Sequence, residues 1–167
     1  MAKFNLLCLL IFFTLTISGQ NRDSGIRQKE IGPKIKAYLD KNYGQNLKTR
    51  FYEEKNGDLK TIEADFEFEN RKYTLSFSDQ GDFLKEEVDL KFDGLPDSVQ
   101  VNINNYLSGK YPRFKIVNSQ EVNPNTEGSV YKIEVRHSGD YYEVYFDRNG
   151  NFTKYDELIF QPINTQF

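Results

Sequence analysis

Residues 95–115, LPDSVQVNINNYLSGKYPRFK, read as one amphipathic helix with a marked start and a marked stop. Pro96 suits the first turn, where its missing N–H has no intrahelical partner to lose, and Asp97 complements the positive end of the helix dipole. Val99, Ile103, Tyr106 and Leu107 then fall at helical spacing and form an apolar stripe, and Tyr111-Pro112 closes the segment. The pattern recurs upstream in shorter form. After Gly32-Pro33, the residues Ile35, Tyr38, Leu39 and Tyr43 carry the stripe, with Lys34, Lys36, Asp40 and Lys41 between them. This first helix is expected to end near Gly44 and to be one turn shorter at its start.

Each helix is followed by four strand-like segments. After the first, Leu47, Thr49 and Phe51 alternate with polar residues up to the turn chemistry of Lys55-Asn56-Gly57-Asp58. From Leu59 to Glu69, Ile62, Ala64, Phe66 and Phe68 alternate with Glu63, Asp65, Glu67 and Glu69, which predicts a strand with one solvated acidic face. Asn70-Arg71 turns the chain into Lys72 to Phe77, and Ser78-Asp79-Gln80-Gly81-Asp82 turns it again into Phe83 to Leu90. After the second helix come Phe114 to Val122, Val130 to Arg136, Tyr141 to Phe146 and Asn151 to Phe160. The loop from Asn123 to Gly128 and the turns Ser138-Gly139-Asp140 and Asp147-Arg148-Asn149-Gly150 separate them.

The halves superpose with an offset of 68 in the helix and 69 in the later strands. Tyr38 matches Tyr106, Leu39 matches Leu107 and Tyr43 matches Tyr111; Tyr73, Phe77, Gly81, Phe83 and Lys85 match Tyr142, Phe146, Gly150, Phe152 and Lys154. So constant an offset points to duplication, with the Tyr-Leu pair seating a helix on a sheet and the glycine taking a turn position that demands positive φ. The expected fold is α+β, a tandem repeat of two α-β-β-β-β units. Its antiparallel sheet has up to eight strands and carries both helices on one face, leaving a broad solvent-facing surface, open for binding, on the other. The division reads as residues 1–20 signal peptide, 21–31 exposed lead, 32–92 first repeat, 93–160 second repeat and 161–167 tail.

The residues also carry a family resemblance. The Leu95-Pro96 start with Val99, the Tyr111-Pro112 close, and the strand-turn patterns LSFSDQGDF (residues 75–83) and VYFDRNGNF (144–152) resemble the PepSY-like, β-lactamase-inhibitor-protein-like (BLIP-like) proteins exported by Bacteroidetes. The resemblance spans Ile31 to Leu158, although Gly32-Pro33 and Tyr43-Gly44 depart from it in the first copy. It implies a tandem α-β4 fold and a role in binding or inhibiting another protein. It supplies no catalytic residues.

The N-terminal MAKFNLLCLLIFFTLTISGQ has the layout of a secretory signal: Lys3, an apolar run from Leu6 to Phe13, and small residues before Gly19-Gln20. That run is too short to span a bilayer, so no membrane association is expected after cleavage, and Cys8 follows Asn5, Leu6 and Leu7 where a lipid-acceptor cysteine would follow small residues. The mature chain would then have no cysteine, hence no disulfide, thiolate nucleophile or thiolate ligand. The formal charge of −3 becomes more negative once Lys3 is removed, which argues against nucleic acid and anionic membranes as partners.

Catalytic chemistry finds little footing. His137 is the only histidine and reads as a solvated turn residue. Asp147, Asn149 and Asn151 echo a calcium loop, but Gly150 is misplaced and no glutamate follows at position 12 of such a loop, so a hairpin turn is the expected reading. Glu63, Asp65 and Glu67 alternate with core positions as a solvated strand face does. No metal, cofactor or enzymatic activity is expected. The informative departure lies in the second copy: where the first sets Lys72, Thr74 and Ser76 outward, the second sets Tyr141, Glu143 and Tyr145, and the neighbouring strand offers Lys132, Glu134 and Arg136. Tyrosine beside arginine and glutamate is the composition of interface anchors, although the tyrosines could instead pack against the adjoining half or the tail. Tyr155 is ambiguous, because its strand has apolar residues on both sides and room for a bulge. The leading expectation is an exported, periplasmic or secreted, non-enzymatic protein that binds a protein partner, and the alternative is a structural or carbohydrate-binding component of the cell envelope.

Overall fold

A computed structural model of the chain describes residues 21–22, 25, 27, 31–56, 59–126 and 128–158. The expected signal peptide and tail lie outside these residues. The order is β1 (Asn21–Arg22), α1 (Pro33–Tyr43), β2 (Arg50–Asn56), β3 (Leu59–Phe68), β4 (Arg71–Ser78), β5 (Phe83–Asp89), α2 (Asp97–Lys110), β6 (Lys115–Pro124), β7 (Val130–His137), β8 (Asp140–Phe146) and β9 (Phe152–Leu158), with a 3-10 turn at Phe92–Gly94. All strands form one antiparallel sheet in sequence order from β1 to β9. The α+β architecture of two α-β4 units is therefore as expected. The sheet gains a ninth, two-residue strand because Asn21 and Arg22 pair with Lys55 and Glu54, which corrects the reading of residues 21–31 as wholly exposed lead.

The two units repeat in detail. Tyr38 stacks on Phe83 with ring centroids 4.8 Å apart and meets Phe77 edge-on at 5.5 Å; Tyr106 stacks on Phe152 at 4.4 Å and meets Phe146 edge-on at 5.6 Å. Ser78 N–H donates to Asp82 O and Gly81 N–H to Ser78 O, while Asp147 N–H donates to Asn151 O and Gly150 N–H to Asp147 O. Gly81 and Gly150 both have φ of +82°. The fourth strand of each unit carries a bulge. Ser76 faces Lys85 and Phe77 faces Phe83, leaving Leu84 extra; Tyr145 faces Lys154 and Phe146 faces Phe152, leaving Thr153 extra. The bulge suspected around Tyr155 is thus at Thr153.

Two cores result. In the first, Ile35 and Leu39 of α1 cover Phe51, Ala64, Phe66, Leu75 and Phe77. In the second, Leu95, Val99, Ile103 and Leu107 cover Tyr131, Ile133, Val135, Val144 and Phe146. The apolar stripes of both helices therefore face the same side of the sheet, each over its own strands, and period-two alternation sends the remaining strand residues to the other side.

Boundary differences have local causes. Leu47 and Thr49 alternate as a strand would, yet they belong to the loop after Asn46, whose φ is +67°, and pairing begins at Arg50. The β3–β4 turn is Glu69-Asn70 rather than Asn70-Arg71, with φ of +50° and +61°, as a tight two-residue hairpin requires. Strand β6 runs on through Asn123 and Pro124, because these pair with Glu86 and Lys85 of the first unit.

Candidate functional site

Strands β7 and β8 alternate cleanly. Tyr131, Ile133, Val135, Val144 and Phe146 are buried beneath α2, so the intervening residues lie on the face turned away from it. The strand register then sets the six candidates into one block of three adjacent cross-strand pairs: Lys132 opposite Tyr145, Glu134 opposite Glu143, and Arg136 opposite Tyr141. All are half-buried except Arg136, which is exposed.

The block is held together by its own contacts. Tyr145 donates its hydroxyl to Glu143 Oε2 at 3.0 Å, and the ammonium of Lys154 on β9 lies 4.3 Å from the centre of the Tyr145 ring. Lys132 Nζ is 3.7 Å from Glu143 Oε1 and 2.5 Å from Glu87 Oε2 on β5, reaching over β6 to the first unit. Glu87 also accepts from Lys85 Nζ at 2.6 Å. Its residue exposure is only 6%. Burial alone would raise the Glu87 pKa, but the two ammonium groups outweigh it and hold the carboxyl below its ordinary value. Glu134 is shifted the other way, first by burial and then by the charge of Glu143 directly across. A like-charged pair at that spacing costs stability.

Sequence reasoning brought six residues to this face and missed Glu87, Lys85 and Lys154. The equivalence of Lys85 and Lys154 in the repeat is a usable signal for both. Glu87 gave none, because an acidic residue in the Glu86-Glu87 dipeptide reads as solvated.

The other candidates fall elsewhere. Glu63, Asp65 and Glu67 share the same face in the first unit, but the solvated acidic stripe expected there is corrected: Glu63 is 8% exposed and Asp65 is half-buried, accepting from Thr74 Oγ1 at 2.9 Å, whereas Glu67 is exposed. The register sets Glu63 against Ser76 and Asp65 against Thr74, on strands that are flanked on both sides by others. His137 is corrected too. It ends β7, half-buried on the helix side, with its ring 5.8 Å from that of Tyr111. Asp147 behaves as a turn residue, accepting from the N–H groups of Asn149 and Asn151 at 2.8 Å. Among the described residues no group of three His, Cys, Asp or Glu is arranged to hold a metal ion, and no helix is long and apolar enough to cross a membrane.

No protein-family model matches the sequence, and neither does any curated protein. Solved structures do match in fold. A DUF2874 family protein from Bacteroides uniformis ATCC 8492 superposes with a TM-score of 0.62 at 16% identity, covering 80% of this chain and 95% of that one. A BLIP-like protein from Bacteroides fragilis NCTC 9343 gives 0.59 at 16% identity over 79% and 89% of the two chains. A protein from Bacteroides eggerthii DSM 20697, provisionally described as periplasmic, gives 0.60 at 14% identity over 75% and 88%. The fold anticipated from the short motifs is therefore one that BLIP-like and DUF2874 proteins of Bacteroides share.

Proposed function

We propose that the chain is an exported, non-enzymatic protein that binds another protein, as inhibitor or partner, through the sheet face turned away from its helices. The observation that carries this reading is the block of Lys132, Glu134, Arg136, Tyr141, Glu143 and Tyr145, whose pairings are set by backbone register and whose Tyr145, Glu143 and Lys132 are already fixed by mutual contacts. Side chains ordered before association lose less entropy on binding, so such a surface acts by occlusion without rearrangement. The N-terminal layout of residues 1–20 supports export, as does the provisional periplasmic description of the Bacteroides eggerthii neighbour.

A protein partner is favoured over a sugar because Lys154 already covers one face of the Tyr145 ring, the surface a stacked sugar would need. The test is capture of partners from periplasmic extract with the full chain, followed by affinity measurement for Tyr141→Ala and Tyr145→Ala and by a glycan array. Each substitution is expected to weaken the partner about tenfold or more, as truncation of an interface anchor does. Unchanged affinity for every partner in both variants would sink the reading, and saturable binding on the array would replace it with the sugar-binding one.

A further inference from the structure

The block on β7 and β8 is set in part by a residue outside it. Lys132 stands within reach of two carboxylates, and its ammonium lies 2.5 Å from Glu87 Oε2 but 3.7 Å from Glu143 Oε1. The nearer one belongs to the other unit. Register explains the reach: Glu87 faces Val122 on β6, Val122 faces Val130 on β7, and Lys132 is the next residue on the same side of β7. The bridge therefore crosses β6, the strand at the joint.

Burial decides which carboxylate takes the ammonium. The side chains of Lys132 and Glu87 are 11% and 8% exposed, against 23% for Glu143, so water screens the bridge to the first unit least. Lys85, 2.6 Å from Glu87 Oε1, holds that carboxylate from its other side. Glu143 is left with the Tyr145 hydroxyl and the longer lysine contact. Glu134 receives less still, since no hydrogen bond or ion pair reaches it among the described residues. Around it stand Glu143 across on β8, Asn118 across on β6, and Lys132 and Arg136 to either side along β7.

The first copy has no such arrangement. At the repeat offset of 69, Lys132 holds the place of Glu63, and the equivalent of Glu87 is Asp156 on β9, with which the strand order ends. The lysine of the second copy is thus held by the fourth strand of the first.

We propose that Glu87 is the positioning residue of the binding block: by drawing the Lys132 ammonium across the joint, it leaves Glu134 and Glu143 as the negative centre that the block offers a partner. Without Glu87, Lys132 turns to Glu143 and neutralises the block from within. What the block does rests on the sheet-face reading, but where Lys132 points is measurable without any partner.

The test is carbon-detected NMR titration of the Glu134 carboxyl in the full chain. Burial and the charge of Glu143 raise its pKa while Lys132 lowers it, so a lysine released toward Glu143 lowers it further. In Glu87→Gln the midpoint should fall by about 0.5 in pH. Glu87→Asp, which keeps the charge but withdraws it by one methylene, should shift the midpoint the same way by less. Lys132→Met should raise it, and Glu87→Gln added to Lys132→Met should then change it little. A general loosening of the fold would not depend on Lys132 in this way. An unmoved midpoint in both Glu87 variants, or an equal fall with and without Lys132, overturns the proposal. Either result leaves the sheet-face reading to be decided separately by the Tyr141→Ala and Tyr145→Ala affinities.

Discussion

The helix side of the two units is nearly the same surface built twice, whereas the opposite side is not. Tyr38, Phe77 and Phe83 reproduce the ring geometry of Tyr106, Phe146 and Phe152, down to one stacked and one edge-on contact each. Across the sheet, Thr74 and Ser76 stand where the second unit has Glu143 and Tyr145. Packing constrains the first surface, because every residue there must fit a helix. The second has diverged between the copies. What the fold needs is duplicated, and what distinguishes the copies is the block on β7 and β8.

The strongest way to break this equivalence is through the core. Phe77 and Phe146 are both fully buried at equivalent positions, and Phe77→Ala and Phe146→Ala should each cost about 4 kcal/mol in urea unfolding. Equal costs are expected. A tolerated truncation in one unit would mean that its core is not the repeat of the other.

The joint between the copies is tested next. Glu87 binds Lys85 of its own unit and Lys132 of the other, so Glu87→Gln leaves two ammonium groups without their carboxylate and should cost about 3 kcal/mol. The pH dependence has a definite sign. Because its folded pKa is lowered, Glu87 contributes its full stabilisation above the unfolded carboxyl value of about 4.3, and that contribution is lost as pH falls through the lower folded value. The urea midpoint of Glu87→Gln should therefore fall less steeply than that of the unmodified chain as acid is added. Parallel curves would remove Glu87 from the joint.

The hairpin glycines offer a smaller contrast. Both need positive φ, but a Cβ on Gly150 would lie 2.8 Å from Val99 O, a backbone atom, while one on Gly81 would lie 3.3 Å from Lys34 Cβ. Gly150→Ala should cost about 2.5 kcal/mol and Gly81→Ala about 1 kcal/mol, measured by thermal or urea unfolding. The extra turn of α2 explains the difference, since Val99 belongs to that turn. Equal costs would indicate that the helix shifts to make room.

Much of this was legible in residue order because both periodicities are strong. The stripe from Val99 to Leu107 and the alternation from Tyr131 to Val135 each fix which side is buried, and together they assigned all six block residues to one face. What the sequence left open depends on pairing between distant segments. Asn21 and Arg22 have no strand pattern and are a strand only because β2 has an edge to pair. Asn123 and Pro124 extend β6 because β5 lies beside them. Leu47 and Thr49 alternate without a partner strand, and so remain loop. Glu87 is buried by two lysines distant from each other in sequence, which no local pattern reveals.

The smallest effect is expected where the copies differ most directly, at Ser76 and Tyr145. Each faces a lysine on the fourth strand of its unit. In the first unit Lys85 turns to Glu87, and the Ser76 hydroxyl, 3% exposed, has no hydrogen-bond partner among the described residues. In the second, Lys154 lies on the Tyr145 ring and the Tyr145 hydroxyl is bonded to Glu143. A buried hydroxyl without a partner carries its desolvation cost without return, so Ser76→Ala should be neutral or stabilise by up to about 1 kcal/mol. Tyr145→Phe keeps the ring and the lysine contact but loses the hydrogen bond, and should destabilise by about 1 kcal/mol or less. The opposite signs, read from paired urea midpoints, are the sharp form of the comparison. If Ser76→Ala destabilises as much as Tyr145→Phe, the hydroxyl at this position is structural in both copies, and the case for the second unit as the specialised one loses its most direct support.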